Sequence, residues 1–359
     1  MEDLNNLQPI GREIAPPSPV SPLYSPVLQG KPIHGLISSS TARGNIQMNA
    51  ITHVGTMESE GVIITIDEDA IQDISPQTFK VLILLLTEAT RQLPHEITAT
   101  AEAIQKGRIV KLSLKDYMEA CKIKDVKEAR NQLNDAIKAL YSVSLEWDEE
   151  SYIKPEGKSR KTKITNHHRM RITDHTITQE EGNPVKRGVA EIRLSFDMAE
   201  YLSNAYIMPY PHSLLFINTR YHPYSIPLGW KLCTLHNINY GKDTANITTV
   251  KTLLSSAKGI PTYGELSQRG NIYDRLIKPF DRDIAALVEA GVLTAYWYYN
   301  DSGDKIESSQ LGLLSYAEFS ALHIHYELKD YPNQTPRLEA KSKRIKAAIS
   351  RRKKKDEPQ

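Results

Sequence analysis

The chain has 359 residues, 40% hydrophobic and 25% charged, with a formal net charge of +2, a globular composition with room for about two domains of usual size. Its longest apolar run, Val81 to Leu86, falls far short of the roughly 18 to 20 residues that a spanning helix needs, and the first residues lack a basic-then-apolar leader, so membrane and secreted classes are excluded and the cytoplasm is expected. Cys121 and Cys233 form no Cys-x-x-Cys pair, which makes them reduced core thiols rather than a zinc site or disulfide framework.

Residues 1–60 contain the proline-punctuated stretch APPSPVSPLYSP and little apolar periodicity, so a flexible arm is expected there. GVIITIDED reads as a short strand, and Ser75-Pro76 opens a helix whose Phe79, Leu82, Ile83 and Leu86 fall on one buried face. After a polar connection around 92–108, Ser113-Leu-Lys-Asp116 has a capping-box pattern at the start of a second helix, SLKDYMEACKI, which a turn at Lys124 ends. Asp125 caps a third helix whose buried stripe is Val126, Ala129, Leu133, Ile137 and Leu140. The runs SVSLEW and VAEIRLSF alternate like strands and complete a two-stranded wing. Helix, helix, turn, helix and wing is the winged-helix order.

The same order returns downstream, with helices over Leu228–Ile238, Thr249–Ala257 and Asn271–Ala290 and strands LTAYWYYN and IESSQLGLL around the turn Asp301-Ser-Gly303. SLKDYMEACK matches TVKTLLSSAK, and LNDAIKALYSVSL matches FDRDIAALVEAGVL, with a longer connection, IPTYGELSQRG, in the second copy. Pro279 either bends the last helix or marks the meeting of two shorter ones. The expected fold is α+β, with tandem winged-helix domains (helix-turn-helix plus β-wing). Its parts are a disordered Pro/Ser-rich arm (1–60), winged helices over 61–209 and 210–330, and a basic tail (331–359).

The charges are unevenly placed. Lys154, Lys158, Arg160, Lys161, Lys163, Arg169 and Arg171 crowd the loop between the first wing strands against Glu156 alone, and a second block runs from Arg337 to Lys355. Both have the character of phosphate-seeking patches, and each taken singly reads equally as a solvated loop or tail. In a helix-turn-helix the third helix presents its exposed amino-terminal side chains to base edges while wing and loops hold phosphates. The first copy offers Lys127, Arg130, Asn131, Asn134 and Lys138, with Lys158, Arg160, Lys161 and Lys163 beside them. The second offers Gln268, Arg269, Asn271, Tyr273, Arg275 and Lys278, with Lys258 and Lys305 as phosphate contacts. Arg suits guanine, and Asn or Gln suits adenine. A solvated helix face is the plain reading of any one of them; the repeated set carries the argument.

Three segments, the stretch Ile277 to Ala285 and the runs AEIRLSFDMAEYLSNAY and HPYSIPLGWKLCTLHNIN, resemble a known family, the plasmid replication initiators with two winged helices that bind direct repeats called iterons. Ile277-Lys-Pro279-Phe-Asp-Arg-Asp283-Ile284-Ala285 is similar to the family's stretch after its second reading helix. AEIRLSFDMAEYLSNAY resembles the link between domains, and HPYSIPLGWKLCTLHNIN the helix that opens the second one. Tyr273 and Asp274 stand where the family usually has basic residues. The resemblance spans roughly residues 61–325. It implies double-stranded DNA with direct repeats as the ligand, origin opening, recruitment of host replication initiation and helicase-loading proteins, and a homodimer that represses its own gene. It places the dimer surface on the first winged helix, with GVIITI near it, although that strand reads equally as core. It implies no active site, cofactor or metal.

Other readings compete, and in one of them the winged helices mainly bind proteins and the basic tail is a targeting or RNA-binding appendage. A winged-helix transcriptional regulator shares every feature named above. His323-Ile-His325 spells the His-hydrophobe-His metal motif of rolling-circle nicking enzymes, with Tyr326 and Tyr331 as nucleophiles; few residues follow it, and those enzymes carry the tyrosine on a helix well downstream. Phosphate-loop, dinucleotide and nucleophile-elbow motifs do not occur in the sequence.

Overall fold

The computed structural model describes residues 24–29, 31–39, 46–49, 52–68, 70, 74–94, 100–153, 162–174, 185–203, 206–267 and 271–332. Strand β1 (Tyr24–Gln29) and helix α1 (Lys31–Ser38) come first, followed by β2 (Gln47–Asn49), β3 (Val54–Ser59) and β4 (Val62–Asp67). This corrects the expected flexible arm over 1–60, of which residues 1–23 lie outside the described chain. Ile33, Leu36 and Ile37 of α1 are essentially fully buried, and burying each such side chain contributes about 1.5–3 kcal/mol. Gly35 permits that fit, because a Cβ there would lie 2.7 Å from the Val62 Cβ and 2.8 Å from the Ser59 carbonyl oxygen.

Helix α2 (Pro76–Gln92) starts at Ser75 with Pro76 in its first turn, where the missing N–H has no helical partner to lose. It buries Phe79, Leu82, Ile83 and Leu86 as expected. Next come α3 (Ala101–Gly107), placed where a polar connection is expected, β5 (Ile109–Ser113), α4 (Leu114–Cys121) and α5 (Val126–Ser142). Strands β6 (Val143–Ile153), β7 (Thr162–Arg171), β8 (Val185–Lys186) and β9 (Val189–Arg193) precede α6 (Phe196–Ser203) and β10 (Tyr206–Pro211). β1 pairs antiparallel with β10, so the amino-terminal strand joins the far end of this half.

The two expected wing strands lie in different sheets. β6, containing SVSLEW, runs between β4 and β7 in a five-stranded sheet ordered β2-β3-β4-β6-β7, whereas β9 pairs with β5 and β8. The wing is therefore the β8–β9 hairpin. Its turn, Arg187-Gly188, has φ of 50° and 80°, the left-handed pair that matches strand twist in a two-residue hairpin. GVIITI forms a central strand with both edges paired and alternating burial, leaving Ile63 exposed on the outer face.

After a short 3-10 turn (His212–Phe216), the carboxy-terminal half begins with α7 (Ser225–Asn239), β11 (Ile247–Thr249), α8 (Val250–Ser255) and α9 (Tyr263–Ser267). A π-helical turn (Tyr273–Ile277) runs directly into α10 (Lys278–Glu289). β12 (Leu293–Tyr299), β13 (Lys305–Ile306), a 3-10 turn (Ser308–Leu313), α11 (Tyr316–Ala321) and β14 (His323–Leu328) follow, and the sheet order is β11-β14-β12-β13. IESSQLGLL forms a strand only at Ile306, and β12's main partner is HIHYEL instead. Both cysteines are buried thiols, and burial pushes them up, Cys121 to about 11 and Cys233 to about 12.

Candidate nucleic-acid interface

Local hydrogen bonds set the helix-turn-helix of the first half. Ser113 caps α4 by accepting the Asp116 N–H at 3.0 Å, and Asp125 caps α5 by accepting the Glu128 N–H at 2.6 Å. The turn begins at Lys122, in the left-handed region with φ 52°, two residues before its expected place. Ala129, Leu133, Ala136, Ile137 and Leu140 bury α5, but Val126 is 55% exposed because the first turn extends beyond the core.

Lys127, Asn131 and Lys138 are exposed on α5 and Arg130 is half-buried. Lys127, Arg130 and Lys138 have no ion pair with a described residue. Asn134 is committed elsewhere, since its Oδ1 accepts the Val185 N–H of the wing at 3.1 Å. The Gly188 carbonyl accepts the Leu114 N–H at 2.8 Å, tying the wing turn to the start of α4. Between α4 and this turn lies an open groove of about 590 Å³, lined by Leu114, Met118 and Ile123 together with Lys115, Glu119 and Arg187. Sequence reasoning passes over Lys115 and Arg187; the dipeptide Arg187-Gly188 between two short alternating runs is the signal that locates a cationic hairpin turn.

The basic loop divides into two parts. Lys158, Arg160 and Lys161 lie outside the described residues. On β7, His167 approaches Asp148 at 2.9 Å, Arg169 pairs with Glu146 at 2.9 Å, and His168 lies 3.6 Å from Glu149 and stacks on Trp147. Cross-strand acids on β6 thus offset this part of the block. Lys163 is exposed further along the strand.

In the second half, Thr249 caps α8 by accepting the Thr252 N–H at 3.2 Å. Lys258 is exposed beyond that helix, and its backbone N–H reaches the Ser38 carbonyl at 3.0 Å. Gln268 and Arg269 lie outside the described residues. Asn271, with φ 54°, uses its side chain as a cap: Oδ1 accepts the Asp274 N–H at 3.1 Å and Nδ2 donates to the Asp274 carboxylate. Tyr273 is 39% exposed, with its ring beside Gly312. Arg275 is half-buried and Lys278 exposed, while Lys305 pairs with Glu307 at 2.9 Å.

Pro279 explains the π turn. Lacking an N–H, it cannot donate one turn back, and its ring crowds the carbonyl of Arg275; the Lys278 N–H bonds the Tyr273 carbonyl five residues back instead. The helix neither breaks nor ends there. Downstream, Asp281 accepts hydroxyl bonds from Tyr296 at 2.8 Å and Tyr298 at 3.0 Å, clamping α10 to β12. Burial raises both phenols above their usual range. The buried Asp283 carboxylate accepts from the Tyr224 N–H at 2.7 Å and from Arg282 at 2.8 and 3.0 Å; burial raises its pKa while these bonds oppose the shift.

Tyr326 is buried, with its hydroxyl 3.0 Å from the Leu232 carbonyl and 3.2 Å from that of Ala245, and Tyr331 donates to Asn237. His323 lies 3.3 Å from Asp301, and the His325 ring packs 4.3 Å from that of Tyr299. Among the described residues no group of three or more His, Cys, Asp or Glu side chains is placed to hold a metal ion.

A capped helix-turn-helix with a cationic β-hairpin beside its last helix defines the first half as a winged-helix domain. Residues 70–210 match the family model described as Initiator Replication protein, WH1. Two solved structures are similar to the chain. One is a selenomethionine derivative of RctB domains 2 and 3, with 11% identity, coverage of 83% of this chain and 99% of that one, and a TM-score of 0.39. The other, of RctB domains 2–3, has 10% identity, coverage of 79% and 90%, and a TM-score of 0.35. No curated protein matches the chain. Among the described residues no helix is long and apolar enough to cross a membrane.

Proposed function

We propose that the protein is a replication initiator that reads double-stranded DNA with two winged helices, α5 entering one major-groove segment and the π turn with α10 entering another. The observation that carries this reading is the match of residues 70–210 to the WH1 domain of initiator replication proteins, on a segment whose Lys127, Asn131 and Lys138 stand exposed along one helix. The second half runs helix, strand, three helices, strand where the first runs helix, strand, two helices, strand, and this near-repeat supports reading it as a second winged helix. Repeated origin sites of the iteron type are the expected target, with opening of the duplex, recruitment of host replication proteins and repression of its own gene as the expected consequences. Binding and bending need no catalytic group, since added phosphate contacts offset a deformation cost of about 1–6 kcal/mol.

Gel-shift and footprinting on DNA flanking the gene, against a scrambled duplex over a salt series, test the reading. A ladder of protected direct repeats is the expected result, with a log-log salt slope of roughly −5 to −7 for six to eight phosphates. A single inverted repeat at a promoter would make the protein a transcriptional regulator, and absence of sequence preference would overturn both.

A further inference from the structure

We infer that the amino-terminal helix α1 acts as an internal ruler, fixing the spacing between the two DNA segments that the two halves read. This rests on the reading of both halves as DNA-binding. α1 packs on one side against β3, β4 and β6 and on the other against α7. On the second half, Trp230 Nε1 donates to His34 Nδ1 at 2.8 Å, Ser38 Oγ donates to the Ser256 carbonyl at 2.5 Å, and the Lys258 N–H reaches the Ser38 carbonyl. On the first half, Gly35 sits against Val62, and Lys31 donates to the Asp148 carbonyl at 2.9 Å. Beside the helix, Glu60 meets Lys231 of α7 at 3.0 Å from a hairpin turn in which Glu60 and Gly61 both have positive φ.

The covalent connection is pinned as well. Lys80 donates to the Ile217 carbonyl at 2.7 Å, the Lys122 ammonium lies 3.9 Å from the Phe216 ring centre, and β1 holds β10. Two attachments separated in space, one through α1 and one through the linker, remove the hinge that a single linker would allow. Rigidly joined readers bind the second DNA segment as an intramolecular step only when its spacing and helical phase match. About five inserted base pairs turn the second segment to the opposite face of the duplex.

The test uses the full chain and the footprinted site, with two, five or ten base pairs inserted between the segments protected by the two halves. The wild-type chain should lose about 100-fold or more in affinity at five base pairs. Glu60→Lys places two ammonium groups together at a partly exposed turn; it should bind the original site more weakly and lose only a few-fold on insertion. The exchanged pair Glu60→Lys with Lys231→Glu should restore the steep dependence, and Gly35→Ala, which displaces α1 from Val62, should flatten it again. A wild-type chain with no specific footprint would overturn the DNA reading itself. Specific binding with a flat spacing curve in the wild type, or equally steep curves in Glu60→Lys and Gly35→Ala, would overturn the ruler alone.

Discussion

Asn134 on α5 and Val185 at the root of the wing are joined by one hydrogen bond, Oδ1 accepting the backbone N–H at 3.1 Å. A side chain suited to reading adenine is used here to tie to α5 the hairpin that carries Arg187 beside α4. Asn134→Ala should cost about 1 kcal/mol, speed amide exchange over residues 185–193 and weaken DNA binding several-fold at every sequence. Loss of preference at a single base position, with unchanged exchange, would restore Asn134 to the reading set.

His34 predicts an acid-sensitive interface. Burial lowers its pKa from 6.5 to about 4, with the Glu60 carboxylate opposing the shift and Lys231 adding to it. The folded state therefore binds fewer protons than the unfolded one between those values, and stability falls as pH drops from about 7 through 4, by up to about 3 kcal/mol. Urea unfolding at several pH values should show that loss in the wild type and a flatter curve in His34→Gln. Parallel curves for the two proteins would remove His34 as the cause.

Replacing Pro279 tests the π turn. Pro279→Ala supplies the missing N–H, so the turn can tighten to α geometry and rotate Tyr273 and Asn271 by about one residue's angle around the axis. The melting temperature should hold or rise while specific affinity falls about tenfold. Unchanged affinity would mean that the π turn has no part in presenting this end of the helix.

Asp283 and Arg282 should differ sharply although they are neighbours. Asp283→Ala leaves the Tyr224 N–H and the guanidinium without their shared acceptor and should destabilise by about 3 kcal/mol or more. Arg282→Ala removes two bonds from that buried carboxylate but leaves it the Tyr224 N–H and the nearby His222, so with a side chain 47% exposed it should cost less, about 1–2 kcal/mol. Thermal melts of both variants decide this, and equal losses would contradict it.

Within the reading faces, charge and amide should separate. Lys127→Ala and Lys278→Ala should each reduce the magnitude of the salt slope by about 1, whereas Asn131→Ala should relax preference at one base pair without changing the slope. A slope unaffected by either lysine would remove both from the interface.

Helices were legible where a three-to-four-residue stripe met a cap, as at Phe79 to Leu86 and at Asp125 to Leu140. Strand partners were not, because alternation in SVSLEW shows that a segment is extended without showing which distant strand it meets. α1 carried its own stripe in Ile33, Leu36 and Ile37, hidden by brevity and by proline-rich neighbours. Among the site residues, exposure of Lys127, Asn131, Lys138 and Lys278 followed from helix phase. The roles of Asn134 and Asn271 did not, since an Asn side chain serves a base edge or a nearby backbone amide equally well and only packing chooses.

The position of α1 also orders events during synthesis. His34 and Trp230 are 196 residues apart, and Ser38 and Ser256 are 218 apart. At typical elongation rates of about 5–20 residues per second, the helix leaves the ribosome roughly 10 to 40 s before the surface it must meet. Its apolar face stays without its second partner for that interval, and closing so long a loop carries an entropic cost that local contacts do not. A nascent chain halted before α7 would keep that face incompletely covered, so the docking of α1 on the second half waits until α7 and the segment through Lys258 have been made.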